Sequence, residues 1–257
     1  MTQHVRAVSS GTSLLPVNLI LGVAMVVLLA VAVAVCHFGR LGHTRAVLSA
    51  GLRAAVQLAA VSLIIGAVVR YISLVALFVM LMYAVAVRTS GRRLTKGPTW
   101  WWAAVPIGAG VAPVLVLLLV TGLLPPRGIS VIPIAGILIG GALTATYLSG
   151  RRALDELAQR FGEVEAALSL GLADREARLL IARDKAATAL VPAIDQTRTV
   201  GLVTLPGAFV GMMLGGASPV AAGAVQLFVL IALLAIESIA AFLTLELVAR
   251  GIVVDAP

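Results

Sequence analysis

Apolar positions in this chain fall into long unbroken runs, without the short alternations of a half-buried sheet. A helix that crosses a bilayer needs roughly 20 mostly apolar residues, and residues 17–36 (VNLILGVAMVVLLAVAVAVC) supply such a run without a charge. Residues 46–69 form a second run, in which Arg53 and Gln57 are the main interruptions. Further runs lie at 71–87, 101–124 and 129–149. Residues 199–236 carry no charge at all, about twice what one helix requires. The turn-forming GGASP at 215–219 divides this stretch into spans at 199–216 and 219–245. The pattern predicts an all-α polytopic protein of about seven transmembrane helices forming one transmembrane domain over 1–257.

The one long hydrophilic segment is 150–198, where eight of the 11 acidic residues fall between Asp155 and Asp195. Leu154, Leu157, Phe161, Val164 and Leu168 follow 3,4,3,4 spacing, which predicts an amphipathic helix. Gly171 is expected to end it, and Asp174 to cap a second helix over REARLLIARDKAATAL, with Pro192 at or just past its end.

Composition agrees with the pattern: 61% of residues are apolar and 12% charged, against about 25% charged in soluble domains. With the N-terminus outside and the C-terminus inside, sixteen of the 19 basic residues reach the cytoplasmic side, leaving Arg6, Arg70 and Arg127 outside. The basic balance therefore reflects topology, and no nucleic-acid partner is expected. TWWW at 99–102 fits an interfacial aromatic belt. The first run lacks a basic stretch adjoining a short apolar core, so it reads as a span and not as a cleaved signal. Cys36 is the single cysteine and excludes an internal disulfide.

Catalytic chemistry is not legible. A P-loop needs GxxxxGK[ST], and neither Lys96 nor Lys185, the only lysines, sits in that pattern. Any ATP-driven motor would be a separate polypeptide. His4, His37 and His43 lack metal-ligand spacing. Adjacent Met212 and Met213 point to different helix faces and read as gap-fillers. No nucleophile–base pair or carboxylate dyad is present, and the metal-binding residues are unknown.

EAALSLG at 165–171, with Ile181 ten positions after Gly171, resembles the EAA loop of ABC-transporter permeases. Small alanines let such a helix seat closely in a groove, and glycine permits the turn that follows. Arg183 and Asp184 stand where that loop usually ends in Leu-Pro. A longer likeness covers about Arg53 to Gln226. RDKAATALVPAIDQTRTVGLVTLPGAFVGMMLGGASPVAAGAVQ at 183–226 resembles the signature region of the FetB-type permeases, membrane subunits of bacterial ABC transporters assigned to iron export, with plant relatives in aluminium tolerance. VIPIAGILIGGAL at 131–143 and RAAVQL at 53–58 are similar to two shorter family signatures. Gly140-Gly141 replaces a common Gly-Asn, and Ala208-Phe209 replaces a hydroxyl residue and Met.

The resemblance implies a multi-pass permease of the inner (plasma) membrane. Two copies would pair with a separate ATPase that holds ATP and Mg, no cofactor binding to this chain itself. The cargo would be iron or another metal cation. Glu165, Ala166, Ala167, Gly171, Ile181 and Arg183 would carry ATPase coupling.

For translocation, the residues themselves suggest a hinge. Gly207, Gly211 and Gly215 recur every fourth position, the small-xxx-small pattern of close helix packing, and Gly136 and Gly140 give the preceding span a similar face. The two faces are expected to pack glycine to glycine. Pro206 would free the carbonyl of Leu202, and Pro133 would interrupt the partner span. Asp195, Gln196 and Arg198 form a polar entrance: either an interfacial charge pair anchoring the helix end, or a lever or cation mouth. Glu237 is an intramembrane charge placed near the cytoplasmic end of the last span. An ion-coupled carrier and a non-transporting scaffold are the alternative functions.

Overall fold

A backbone crossing hydrocarbon has to satisfy its own N–H and C=O groups, which leaves the helix as the local solution for runs of this length. The computed structural model describes residues 18–125 and 127–254, and the regular structure among them is helical. Val17, the first residue of the expected first span, lies outside the described residues, as do His4 and Arg6.

The chain forms two units, 1–67 and 68–257. In the first, α1 (Leu19–Phe38) is opened by Asn18, whose Oδ1 accepts from the Leu21 N–H at 3.0 Å. A turn with Arg40 at φ 51° and Gly42 at φ 72° leads into α2 (Thr44–Val68). Gly51 faces α1 closely: a Cβ there would fall 2.7 Å from the Leu29 side chain. Neither helix has a buried residue, as expected of apolar helices whose solvent is lipid.

The second unit begins with α3 (Ile72–Leu94), a 3₁₀ turn (Pro98–Ala103) and α4 (Ala104–Val120). It continues through α5 (Gly128–Gln159), α6 (Phe161–Ser169), α7 (Asp174–Ala187), a 3₁₀ turn (Thr188–Leu190), α8 (Val191–Thr199), α9 (Gly207–Leu214) and α10 (Pro219–Ala249). Among the described residues six helical stretches are long and apolar enough to cross a membrane: α1, α2, α3, 98–120, α5 and α10. The segment expected as the sixth of seven spans, 199–216, is instead divided by non-helical residues 200–206.

Three further expectations change. Where the apolar run ends near residue 149, α5 does not stop. Its charged extension continues to Gln159, with Arg151 and Asp155 paired at 3.0 Å across one turn. Pro133 lies inside α5 without ending it, so it is not a second interruption. Asp174 is the first residue of α7, whose N-cap is Ala173; with Glu176 it contributes negative charge to the first turn, where the helix dipole favours it.

The core is α5 packed on α10, α3 and α4, and it is rich in small residues: Ala135, Ala142, Ala145, Ala232 and Ala240 are buried. Lipid tails are as apolar as leucine, so such helices associate through close packing and a few polar contacts. The Ser90 hydroxyl donates to Leu143 O at 3.3 Å, Ser149 to Ala241 O at 3.1 Å and Tyr83 to Ala104 O at 2.8 Å. Trp101 and Trp102 stack at 4.5 Å, and the Arg92 guanidinium lies 5.1 Å from the Trp100 ring.

At Gly91 a Cβ would overlap the backbone carbonyl of Trp100, which cannot rotate away. Gly91→Ala is therefore expected to destabilise the protein by about 1–3 kcal/mol, the usual cost of overpacking. Gly162→Ala, in helical and open surroundings, should stabilise it by about 0.5–1 kcal/mol. Thermal unfolding of the detergent-solubilised variants checks both.

Candidate translocation site

The break at 200–206 is set by local chemistry. Pro192 opens α8, where its missing N–H is harmless; it neither closes α7 nor follows it directly. At the other end Thr199 O collects the N–H groups of Val203 (3.0 Å), Thr204 (3.3 Å) and Leu202 (3.4 Å), while Gly201 N–H donates to Thr204 O at 2.8 Å. Gly201 holds φ +83°, a left-handed conformation natural to glycine. Pro206, at φ −61° and ψ 144°, is the N-cap of α9. Pro206 therefore begins a new helix, where the sequence had suggested a kink in a continuous one. The carbonyls of Val200, Gly201, Leu202, Val203 and Leu205 accept no backbone hydrogen bond from a described residue.

α8 and α9 run antiparallel to α10. Ala187 and Leu190 share a cavity with Ser238, Ala241 and Phe242. Val200, Gly201, Leu205, Pro206 and Phe209 line another, of about 320 Å³, with Gly223, Gln226, Leu227 and Leu230. A depth marker lies at the far end of α10, where Glu246 accepts from Arg175 Nε at 2.9 Å, pairs with Arg175 Nη2, and takes a third contact from Arg250 at 3.2 Å. The Glu246 carboxylate holds the Arg175 guanidinium above its ordinary pKa. Gln226 is 20 positions from Glu246 on one helix, about 30 Å at 1.5 Å per residue, which equals the thickness of a hydrocarbon core.

Asp195, Gln196 and Arg198 lie on α8, alongside the stretch of α10 between Gln226 and Ser238. Asp195 and Arg198 approach to 4.0 Å, with side chains 62% and 75% exposed within the single chain. Gly207 and Gly211 have nothing within 4 Å of a built Cβ, and Gly215 meets only its own helix. Gly140 is also open, and Gly136 meets the Met82 side chain. The expected glycine-to-glycine packing is absent. The glycine that matters in α5 is Gly141, where a Cβ would lie 2.6 Å from Leu233 and 2.8 Å from Glu237 Oε1.

Glu237 is 9% exposed, packed between α10 and α5. It lies nine positions from Glu246, about 13 Å along the helix. Its carboxyl makes no ion pair with a described residue. Gly141, a position where the chain departs from the FetB-type pattern, provides the space it occupies.

On the loop side, Arg160 clamps the α5–α6 junction, donating to Glu156 at 3.3 Å and to Glu163 through Nε at 2.6 Å. These bonds hold the Glu163 carboxyl below its ordinary pKa. The expected amphipathic helix is thus two helices. Its five apolar residues, Leu154, Leu157, Phe161, Val164 and Leu168, still line one groove of about 480 Å³ with Glu165 and Arg178. Gly171 turns the chain at φ +92°. Ala167 and Ile181 are buried together with Val164 and Ala177, so they fasten α6 to α7. Glu165, Ala166, Gly171 and Arg183 remain exposed. α7 is in turn seated on the body of the unit through Leu179, Ala182 and Ala186.

Residues 18–253 match the family described as "Uncharacterised protein family (UPF0014)". The chain belongs to the UPF0014 family. It is a multi-pass membrane protein. It is 34% identical over 235 residues to the rice (Oryza sativa subsp. japonica) UPF0014 membrane protein STAR2, covering 89% of this chain and 81% of that one. It is 30% identical over 236 residues to the probable iron export permease protein FetB of Escherichia coli K12, covering 87% of each. The Arabidopsis thaliana protein ALUMINUM SENSITIVE 3 is 36% identical over 152 residues, 59% of this chain and 56% of its own. No solved structure matches. The UPF0014 match includes the broken segment, the loop helices and α10 alike.

Sequence reasoning gave no role to Gln226, Gly201, Gly141, Arg175 or Glu246. A glutamine within a 38-residue charge-free run was the available signal for the first; the others depend on contacts between distant segments. Because Gly201 is left-handed, Gly201→Ala is expected to cost about 1–2 kcal/mol. Pro206→Ala, at an N-cap whose φ and ψ alanine also adopts, should change stability by less than about 0.5 kcal/mol and leave the break in place. Thermal melts and helical circular dichroism of both variants check this.

Proposed function

We propose that this UPF0014 chain is the permease subunit of an ATP-driven transporter in the inner (plasma) membrane, exporting iron or another metal cation. The observation that carries the reading is the segment 191–206, set against the apolar span α10: charged and amide side chains on α8 followed by five carbonyls without backbone partners among the described residues. Non-helical backbone is tolerated there only when protein buries it or a water-filled cavity lines it. A passage between two copies of the chain satisfies both conditions, and the open faces of Gly207 and Gly211 leave room for close approach of a second α9. Interrupted membrane helices are a recurring device of transporters for the same reason. The similarity to the E. coli relative, a probable iron export permease, supports the cargo and the direction.

The motor is a separate ATPase holding ATP and Mg. It docks on α6 and the turn after it, which present Glu165, Ala166 and Gly171, with Arg183 beside them on α7. Since Ala167 and Ile181 lock α6 onto α7, and α7 onto α5 and α10, closure of the ATPase pair moves this block as a lever and changes the opening beside α8.

Gly171→Pro cannot adopt φ +92°, so it should uncouple the motor while sparing the spans. Metal-stimulated ATP hydrolysis by the reconstituted complex is expected to fall at least about tenfold, the equivalent of 1.4 kcal/mol of coupling, with membrane insertion unchanged. Co-purification from native membranes in mild detergent should recover a P-loop ATPase with the wild type and lose it with Glu165→Arg. Normal coupling in the glycine variant, or no ATPase under conditions that preserve a control complex, contradicts the proposal.

An ion-coupled carrier is the second reading, favoured by the buried Glu237 carboxyl. Transport that survives Glu237→Gln and requires ATP excludes it.

A further inference from the structure

Gln226 is 6% exposed, and its Oε1 is fully buried without a hydrogen-bond partner among the described residues. A buried amide oxygen left unsatisfied costs on the order of 1–3 kcal/mol, and the site has no structural need for it: the neighbouring wall positions on α10 are Leu227 and Leu230. The residue lines the cavity of about 320 Å³ formed with the break. Across that cavity stand Val200, Gly201 and Leu205, whose carbonyls likewise lack backbone partners. Gly223, one turn before Gln226, brings Phe209 of α9 within 4.0 Å of its Cβ position and so helps close the cavity's far side.

We propose that Gln226 is a direct contact for the transported cation, its Oε1 acting with the carbonyls of the break as a neutral oxygen site near the membrane edge away from the loop helices. The inference rests on the transport reading above. Carbonyl and amide oxygens are ligands of hard, partly hydrated cations, and the cavity holds several waters at about 30 Å³ each. Neutral donors do not cancel the ion's charge, so binding is weak enough for release. The distance from the Glu246 level, about 30 Å, makes this a late site on an outward path.

The test uses the permease–ATPase complex in proteoliposomes, with Fe²⁺ kept reduced by ascorbate as the probe. Two measurements are made: the Fe²⁺ concentration giving half-maximal stimulation of ATP hydrolysis, and thermal stability without metal. Gln226→Leu should raise the half-maximal concentration at least about tenfold, the loss expected from removing one oxygen ligand worth about 1.4 kcal/mol. Its melting temperature should be equal to or above the wild type's. Gln226→Glu should lower the half-maximal concentration and slow turnover at saturation. A Fe²⁺ response unchanged in both variants overturns the assignment of Gln226 alone. A melting temperature that drops in Gln226→Leu overturns it too, since that is the mark of a structural amide. A wild-type complex that ignores Fe²⁺ overturns the transport reading and this one with it.

Discussion

An unpaired carbonyl in hydrocarbon costs several kcal/mol, and five carbonyls within 200–206 stand without backbone partners among the described residues. The architecture of the second unit follows from how that cost is met. The break is encoded firmly, by a left-handed Gly201 and a helix-opening Pro206, so the chain does not relieve the cost by forming helix. It is held against α10, whose small and amide-bearing face supplies Gly223 and Gln226 at the same level. The remaining side of the segment, with Leu202 93% exposed, is apolar and fits lipid or a second subunit, while the polar side chains of α8 require a wetter neighbour.

α10 serves as the common reference for everything else. Its 31 residues, about 46 Å in length, touch the break at one end and the loop helices at the other. The Glu246 carboxylate fixes Arg175 of α7, and buried Leu245 and Val248 join the same loop-side cluster as Leu179 and Ala186. A displacement of α7 is therefore resisted by both an ion pair and packed apolar surface, conditions under which force is passed along a helix instead of being absorbed in a loop. The two alanines of the EAA-like sequence divide the labour: Ala167 packs inward on α7 and Ala166 stays outside.

Much of this was legible in the linear pattern. Apolar run length identified six of the helices, because partition into lipid is a property of composition summed over about 20 residues. The turn at Gly171, the hydrophilic segment and the resemblance to a permease family were also readable, since each depends on residues close together in the chain. The extension of α5 to Gln159 was missed because hydropathy reports where a helix leaves lipid, not where it ends. The amphipathic spacing of Leu154 through Leu168 pointed to one shared surface, although Arg160 places those residues on two helices.

The sequence by itself determined that the protein is helical and membrane-embedded, with a weak point near Pro206. Only the tertiary structure decided partners. Asp195, Gln196 and Arg198 adjoin a polar segment in sequence; packing sets α8 along α10. Gly141, not Gly140, receives Glu237, and Gln226 faces the break about 25 positions before it in the chain. The physical reason is the same each time. A residue's chemistry is local, but its surroundings are fixed by helices that meet across the bundle, and a one-residue shift of about 100° around a helix axis changes which neighbour it meets.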